Sequence, residues 1–254
     1  MEHEFYKFMK FDTSVLYDRY SFYLKFFKDC KNVLDLGCGK GEFLELIRKE
    51  GKCGLGVDSD EGMIRTCEEK GLEVACRDVL IFLKETERKF DGIFCAHLIE
   101  HLPHDRVIEL LSLCSRALEE NGVLVIATPN PAALHTQLCE FWSDPSHIRM
   151  YSRELLEFLT HYAGFATIES GENPGSRVPP PIGLGSLESK PIVKMRSERY
   201  SGPIKRLKQR VVFFINQDIN TRIEAINSNL EAIRKLINRY YPAIEVYTVG
   251  RKKK

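Results

Sequence analysis

The segment VLDLGCGKGEFLELI (Val33–Ile47) limits what this chain can fold into more than any other. An apolar run leads into Gly37, Gly39 and Gly41, and then into an amphipathic stretch. That order reads as a buried strand, a tight glycine turn and a helix. Glycine reaches left-handed backbone angles without steric cost and lets a ligand come close to the main chain. A strand that enters a helix through such a turn is the opening unit of a parallel sheet with helices on its faces.

The chain repeats this unit. Lys31–Leu36, Cys53–Asp58, Leu72–Arg77, Phe90–Ala96, Val123–Thr128 and Phe165–Glu169 read as strands. Glu42–Lys49, Glu61–Lys70, Pro103–Glu119 and Ser152–Tyr162 read as helices, with Gly71 and Gly122 as stops and Ser152 as a cap. The aromatic-rich stretch Ser14–Cys30 reads as an amphipathic helix with Ser14 at its start. AIEVYTVGR alternates and reads as a last strand, paired with Phe165–Glu169. The expected architecture is α/β: a Rossmann-like, seven-stranded, mostly parallel sheet with an antiparallel C-terminal strand and a helical insertion before it. Residues 1–30 form an N-terminal helical segment, and residues 31–170 with 243–254 form the main domain. Residues 171–242 are a Pro- and Gly-rich loop and a long basic helix. Along that helix Ile219, Ile223, Ile226, Leu230, Ile233 and Ile237 follow a heptad spacing. The seam packs on its own domain or joins a second copy as a homodimer.

The glycine spacing is G-x-G-x-G, not the dinucleotide fingerprint G-x-G-x-x-G. Glu42 stands where the third fingerprint glycine belongs, so a pyrophosphate at this helix start would meet a carboxylate. Asp35 lies in the strand before the glycines and suits a cationic ligand. Asp58 ends the next strand, where a carboxylate can accept from both ribose hydroxyls; its other reading is a helix N-cap. S-adenosylmethionine (SAM), with a sulfonium, an amine and no pyrophosphate, fits this set.

Together DLGCGKGEF, GVDSDEGM, ACRDV, FDGIFCAHLIEHLP and VLVIATPNP resemble, in order, the class I SAM-dependent methyltransferases. The resemblance covers about residues 30–170 and 243–251. It implies Asp35, Gly37 and Gly39 near the methionine moiety and Asp58 on the ribose. It also implies Met63 beside the adenine, Asp78 facing the adenine amino group with Val79 nearby, and His97 near the methionine part.

The acceptor side rests on HLIEH (His97–His101) and FWSDPSHIRM (Phe141–Met150). H-x-x-E-H is also a zinc-protease pattern, but here it closes a buried strand just before Pro103. I-E-H-L followed by T-P-N resembles enzymes that methylate sugar or phenol hydroxyls. The second segment resembles F-Y-x-D-P-T-H-x-R-P of methyltransferases associated with surface-polysaccharide (O-antigen) synthesis, with Trp142, Ser146 and Met150 as departures. Small-RNA 3′-terminal ribose methyltransferases have a similar layout, E-x-x-E-H, that holds a divalent metal; His97 replaces the first Glu here. A hydroxyl must lose its proton as its oxygen attacks a methyl group, and His is the usual base near neutral pH. His101 and His147 are the candidates, with Glu100 orienting one of them or ligating a metal. The alternative for Glu100 and His101 is a structural pair capping the next helix. His104, His135 and His161 read as surface or packing residues.

Charge divides unevenly. Residues 190–254 carry sixteen Lys and Arg against five Asp and Glu, whereas the rest carries 21 against 31. The basic end suits an anionic partner such as a lipid headgroup or a phosphate-linked substrate, or it is a solvated helix face. The 8 cysteines form no C-x-x-C pair, and no run of about 18 apolar residues appears. With no signal-peptide pattern at the N-terminus, the expected setting is cytoplasmic, with peripheral membrane contact as a variant. The functional expectation is O-methylation of a saccharide or a lipid- or phosphate-linked glycan. The alternatives are a small-molecule or RNA ribose hydroxyl, or a SAM-binding partner protein without catalysis.

Overall fold

The computed structural model describes residue 8, residues 14–177 and residues 203–253. Seven strands form one sheet: β1 (Asn32–Leu36), β2 (Cys53–Asp58), β3 (Glu73–Cys76), β4 (Phe90–Ala96), β5 (Leu118–Pro129), β6 (Phe165–Glu172) and β7 (Glu245–Lys252). Their order is β3-β2-β1-β4-β5-β7-β6. The pairs among β1 to β5 are parallel. β7 is antiparallel to both of its neighbours, β5 and β6. The last strand thus pairs with β6, as expected, and also with β5.

The helices are α1 (Ser14–Ser21), α2 (Glu42–Lys49), α3 (Glu61–Glu69), α4 (Val79–Glu85), α5 (His104–Ala117), α6 (Arg153–Tyr162) and α7 (Pro203–Tyr240). Successive strand side chains point to opposite faces, so both faces carry a core. On one face Leu34, Leu36, Ile93 and Leu124 pack with Leu80 and Leu83 of α4, Leu110 and Leu111 of α5, and Leu156 of α6. On the other, Val33, Phe94, Val125 and Tyr247 pack with Phe43 and Ile47 of α2 and with Tyr23 and Phe27.

The differences from the sequence reading are local. The N-terminal stretch is α-helical only to Ser21 and tightens into a 3-10 turn over Phe22–Phe27, where aromatic packing governs the backbone. Tyr23 and Phe94 ring centres are 5.3 Å apart, and Tyr23 and Tyr247 5.7 Å. α4 was not expected: its run VLIFL has no helical apolar periodicity, but Asp78 caps it by accepting from Leu80 N and Ile81 N. α5 stops at Ala117, two residues early, and β6 runs on through Gly171 and Glu172, which the sequence reading placed in the insertion. A π-helical turn at Thr136–Glu140 and a helical turn at Phe141–Ser143 replace part of an expected loop.

The chain divides into two compact units, Met1–Val178 with Tyr241–Lys254 and Pro179–Tyr240. In α7, Ile226, Ile233 and Leu236 are exposed. The side chain of Ile219 on the expected seam lies outside the described residues. Cys30, Cys38, Cys67, Cys95 and Cys114 are buried thiols, whereas Cys53 and Cys76 are exposed. Among the described residues no helix is long and apolar enough to cross a membrane.

Phe27 is fully buried, and a Cβ added at Gly92 of β4 would lie 2.7 Å from its ring. The strand therefore gives up a side chain where the N-terminal segment enters the core. Phe27→Ala should destabilise the protein by about 3–5 kcal/mol in denaturant unfolding. A loss below about 1 kcal/mol would mean that this segment is not part of the cooperative core.

Candidate functional site

The C-terminal ends of the parallel strands open into a cavity of about 510 Å³, a volume suited to one small ligand. Its first wall is the loop between β1 and α2, where Gly37 (φ 73°) and Gly39 (φ 52°) adopt left-handed angles. The loop is fixed by two contacts. Gly37 N donates to Val57 O at 2.8 Å, and Gly39 N donates to Asp58 Oδ2 at 3.0 Å.

Asp58 also accepts from Asp60 N at 2.9 Å. The N-cap of α3 is Asp60, not Asp58, because Asp60 accepts from Gly62 N and Met63 N. Asp58 is thereby free of the helix-capping alternative. Asp78 and Val79 line the same end of the cavity with Met63, and Asp78 also caps α4.

Asp35 is 3% exposed and lines the cavity, and its carboxyl makes no hydrogen bond among the described residues. Burial holds its carboxyl well above the usual range, with nearby Cys67, Glu42 and Asp58 adding to the effect. Burial also raises Glu42 and Asp58, both on the cavity wall. A buried carboxyl with no partner inside an acidic cavity asks for a cation. The sulfonium and ammonium of SAM meet that requirement, so the residues present fit this cofactor.

His97 follows β4 with φ 52°, an uncommon angle for a residue with a Cβ. Its ring stands between two fully buried carboxylates: Nε2 is 2.6 Å from Glu245 Oε2, and Nδ1 is 3.3 Å from Glu100 Oε1. Burial alone would lower its pKa; the bonds to Glu100 and Glu245 outweigh that and raise it to about 10. His97 lines the cavity with Nε2 hydrogen-bonded to Glu245 and Nδ1 within ion-pair distance of Glu100. Glu245 also accepts from Tyr23 Oη and from Asn173 Nδ2. Sequence reasoning missed Glu245.

At the other end stand Glu100, His101 and His147, whose ligand atoms all lie within 4.8 Å of one another. Glu100 Oε2 accepts from Thr128 Oγ1 at 3.1 Å, and the Glu100 carbonyl accepts from Ile148 N at 2.8 Å. The segment bearing His147 is thus tied to the one bearing His101. Neither Glu100 nor His101 caps α5, whose N-cap is Pro103. The His101 and His147 rings are 4.6 Å apart, and His147 stacks on Phe141 at 4.4 Å.

Hydrogen bonds set the tautomers. His147 Nδ1 is 2.6 Å from the Phe141 carbonyl, which only accepts, so Nδ1 carries the proton. Ser146 Oγ donates to the Asp144 carboxylate and therefore accepts from His101 Nδ1 at 2.9 Å. In their neutral forms both rings keep a lone pair on Nε2. Burial lowers the His101 pKa, against the pull of Glu100, which keeps the ring neutral. Such a pair can take a proton, and with Glu100 it can hold a divalent ion.

His135, read from sequence as a surface or packing residue, lines the cavity. So do Leu16, Arg19 and Tyr20 of α1, which carried no motif.

A methyltransferase-domain family profile matches residues 6–170. The chain is similar to ubiquinone biosynthesis O-methyltransferases: 32% identical over 106 residues to that of Coxiella burnetii and 33% over 110 to that of Histophilus somni. These matches cover 39% of this chain and 44% or 45% of the relatives, less than half their length. Among solved structures it is similar to a SAM-dependent methyltransferase from Archaeoglobus fulgidus, with 30% identity, 99% of both chains covered and a TM-score of 0.71. A SAM-dependent methyltransferase from Clostridium acetobutylicum shares the fold at 13% identity and a TM-score of 0.58, over 100% of this chain and 98% of that one.

The chain belongs to the methyltransferase-domain family. It is an α/β SAM-dependent methyltransferase, with S-adenosylmethionine as its cofactor. The curated relatives are named for ubiquinone biosynthesis and not for polysaccharide synthesis, so the O-antigen resemblance is not carried further as a family assignment.

Two measurements test the cofactor half. Asp58→Ala should weaken SAM binding in calorimetry by about 1.5–3 kcal/mol for each hydrogen bond lost to the carboxylate. Unchanged affinity would remove Asp58 from the site. Asp35, Glu42 and Asp58 have raised pKa values without ligand, and a cation lowers them. Binding should therefore release protons, and affinity should rise as pH climbs from the ordinary carboxylate range through the raised values. Binding heats that do not depend on the buffer would count against this acidic cavity.

Proposed function

We propose that this chain transfers the methyl group of SAM to a hydroxyl oxygen, with a saccharide or a lipid- or phosphate-linked glycan as the acceptor class. The observation that carries the reading is the His101–His147 pair, whose hydrogen bonds leave an Nε2 lone pair on each neutral ring. The printed names of the curated relatives, O-methyltransferases, support oxygen as the attacked atom. They also favour a second acceptor class, a small-molecule hydroxyl, for which the I-E-H-L and T-P-N resemblance to enzymes of sugar or phenol hydroxyls suggests a phenol.

SAM, when bound, would supply an electrophilic methyl carbon whose bond to the sulfonium sulfur breaks as the C–O bond forms, with the neutral thioether as the leaving group. The chain's own residues do the rest. Asp58 holds the ribose, and Asp35 neutralises cationic charge at the methionine end. Phe141 fixes the His147 ring by stacking and through its carbonyl. His147 Nε2 takes the hydroxyl proton as the oxygen attacks, and Asp144 and Ser146 keep His101 in the same tautomer beside it. A metal held by Glu100, His101 and His147 would instead acidify the hydroxyl directly.

Methyl-labelled SAM offered with saccharide, lipid-linked glycan and phenolic acceptors tests the class. With the acceptor found, His147→Ala should cut turnover about 10²- to 10⁴-fold while SAM affinity stays near wild type. Wild-type turnover at saturating substrates would end the catalytic role of this residue. A chelator separates the two versions: a metal site loses activity and regains it with a divalent ion, and a histidine base does not respond.

A further inference from the structure

The free thiols of Cys38 and Cys67 have no part in the chemistry above, yet they meet beside the glycine loop. Cys38 stands between Gly37 and Gly39 and, among the described residues, is the one cysteine on the cavity wall. Cys67 of α3 is fully buried, and its Sγ donates to the Gly39 carbonyl at 3.3 Å. Its sulfur accepts in turn from the Cys38 thiol. Two glycines leave room for the sulfurs. A Cβ added at Gly56 of β2 would lie 2.7 Å from Cys38 Sγ, and one added at Gly41 would lie 3.0 Å from Cys67 Sγ.

The hydrogen bond lets the two sulfurs share one proton. It favours loss of the first proton from the pair and opposes loss of the second. The thiolate is the form that reacts with peroxides.

We propose that Cys38 and Cys67 are a redox modification site: a hydroperoxide joins them as a disulfide, and the disulfide closes the SAM site. The closure rests on the cofactor assignment above. The peroxide enters through the cavity that Cys38 lines. The Cys38 sulfur attacks one peroxide oxygen, the O–O bond breaks, and the other oxygen leaves as hydroxide, giving a sulfenic acid. The Cys67 sulfur then attacks that sulfur, the S–O bond breaks, and a second hydroxide leaves. The two thiol protons convert both hydroxides to water, so two thiols are oxidised and one hydrogen peroxide is reduced. A disulfide holds its sulfurs about 2.05 Å apart, well inside a hydrogen-bonded separation. α3 is fixed at its start by the Asp60 cap, so the glycine loop must give. Gly39 joins that loop to Asp58 through its N–H and to Cys67 through its carbonyl, so the shift falls on the residue assigned to the ribose. By linkage, a disulfide that weakens SAM binding is itself disfavoured when SAM is bound.

The test treats the full chain with hydrogen peroxide. Peptide mass mapping without reductant should find the Cys38 and Cys67 peptides linked, and saturating SAM should suppress the link. Calorimetry should show SAM affinity falling about 5- to 150-fold on oxidation, the usual range of coupling between two sites, and recovering with dithiothreitol. In Cys38→Ala the same treatment should change SAM affinity by less than about twofold, because the cavity-facing sulfur is gone. Cys53 and Cys76 are exposed and report that the peroxide has acted. If they oxidise while Cys38 and Cys67 stay unlinked, the proposal is overturned. A linked pair with unchanged SAM affinity overturns the closure, and so does an equal fall in Cys38→Ala. If the reduced wild-type chain binds no SAM, the cofactor assignment fails and the closure with it, whereas the linked peptide still reports the modification site.

Discussion

Glu100 and Glu245 are both fully buried, and the His97 ring stands between them. Two carboxylates cannot stay ionised in an apolar interior without a cation and hydrogen bonds to hold them. The protonated ring meets that need, which is why its pKa is raised to about 10 although burial pulls the other way. Much of the site depends on this arrangement. Glu245 joins β7 to the N-terminal Tyr23 and to Asn173 after β6, and Glu100 joins the turn after β4 to Thr128 of β5. Removing one partner would strand a buried charge, a loss of about 3–5 kcal/mol in comparable cases. The left-handed backbone at His97 is a strain of the kind that surrounding structure must hold in place.

The cofactor end of the cavity works by a different electrostatic rule. Asp35, Glu42 and Asp58 are left partly unsatisfied by protein, and each is pushed toward its neutral form by burial. This acidic character distinguishes the loop from one built for a pyrophosphate, which needs backbone N–H groups and no nearby carboxylate. The same glycine geometry therefore serves a different ligand because of what flanks it.

At the acceptor end, chemistry is set by hydrogen-bond direction more than by residue type. Asp144 can only accept when ionised, so the Ser146 hydroxyl turns toward it and leaves its oxygen to accept from His101. The Phe141 carbonyl does the same for His147. Lowering of the His101 pKa by burial keeps that lone pair available near neutral pH.

Local chemistry wrote much of this into the sequence. The glycine turn, Asp35 before it and Asp58 one strand later were legible because each depends on its own strand and turn. The alternation of strands and helices followed from periodicity, and β7 announced itself by its alternating pattern. Four other features were decided by tertiary structure. Glu245 lies 148 residues from His97, and nothing around it marks it as that ring's partner. Arg19 and His135 face the cavity only because α1 and the turn after β5 are folded over it. α4 stays helical because Leu80 and Leu83 bury against the sheet, a packing that its strand-like apolar pattern did not reveal. The tautomers of His101 and His147 depend on acceptors that the folded loop brings to them. The division has one physical cause. Backbone propensity and turn chemistry act over a few residues and are written locally, whereas pairing of buried charges and closure of a cavity act between segments that meet only after the sheet has formed.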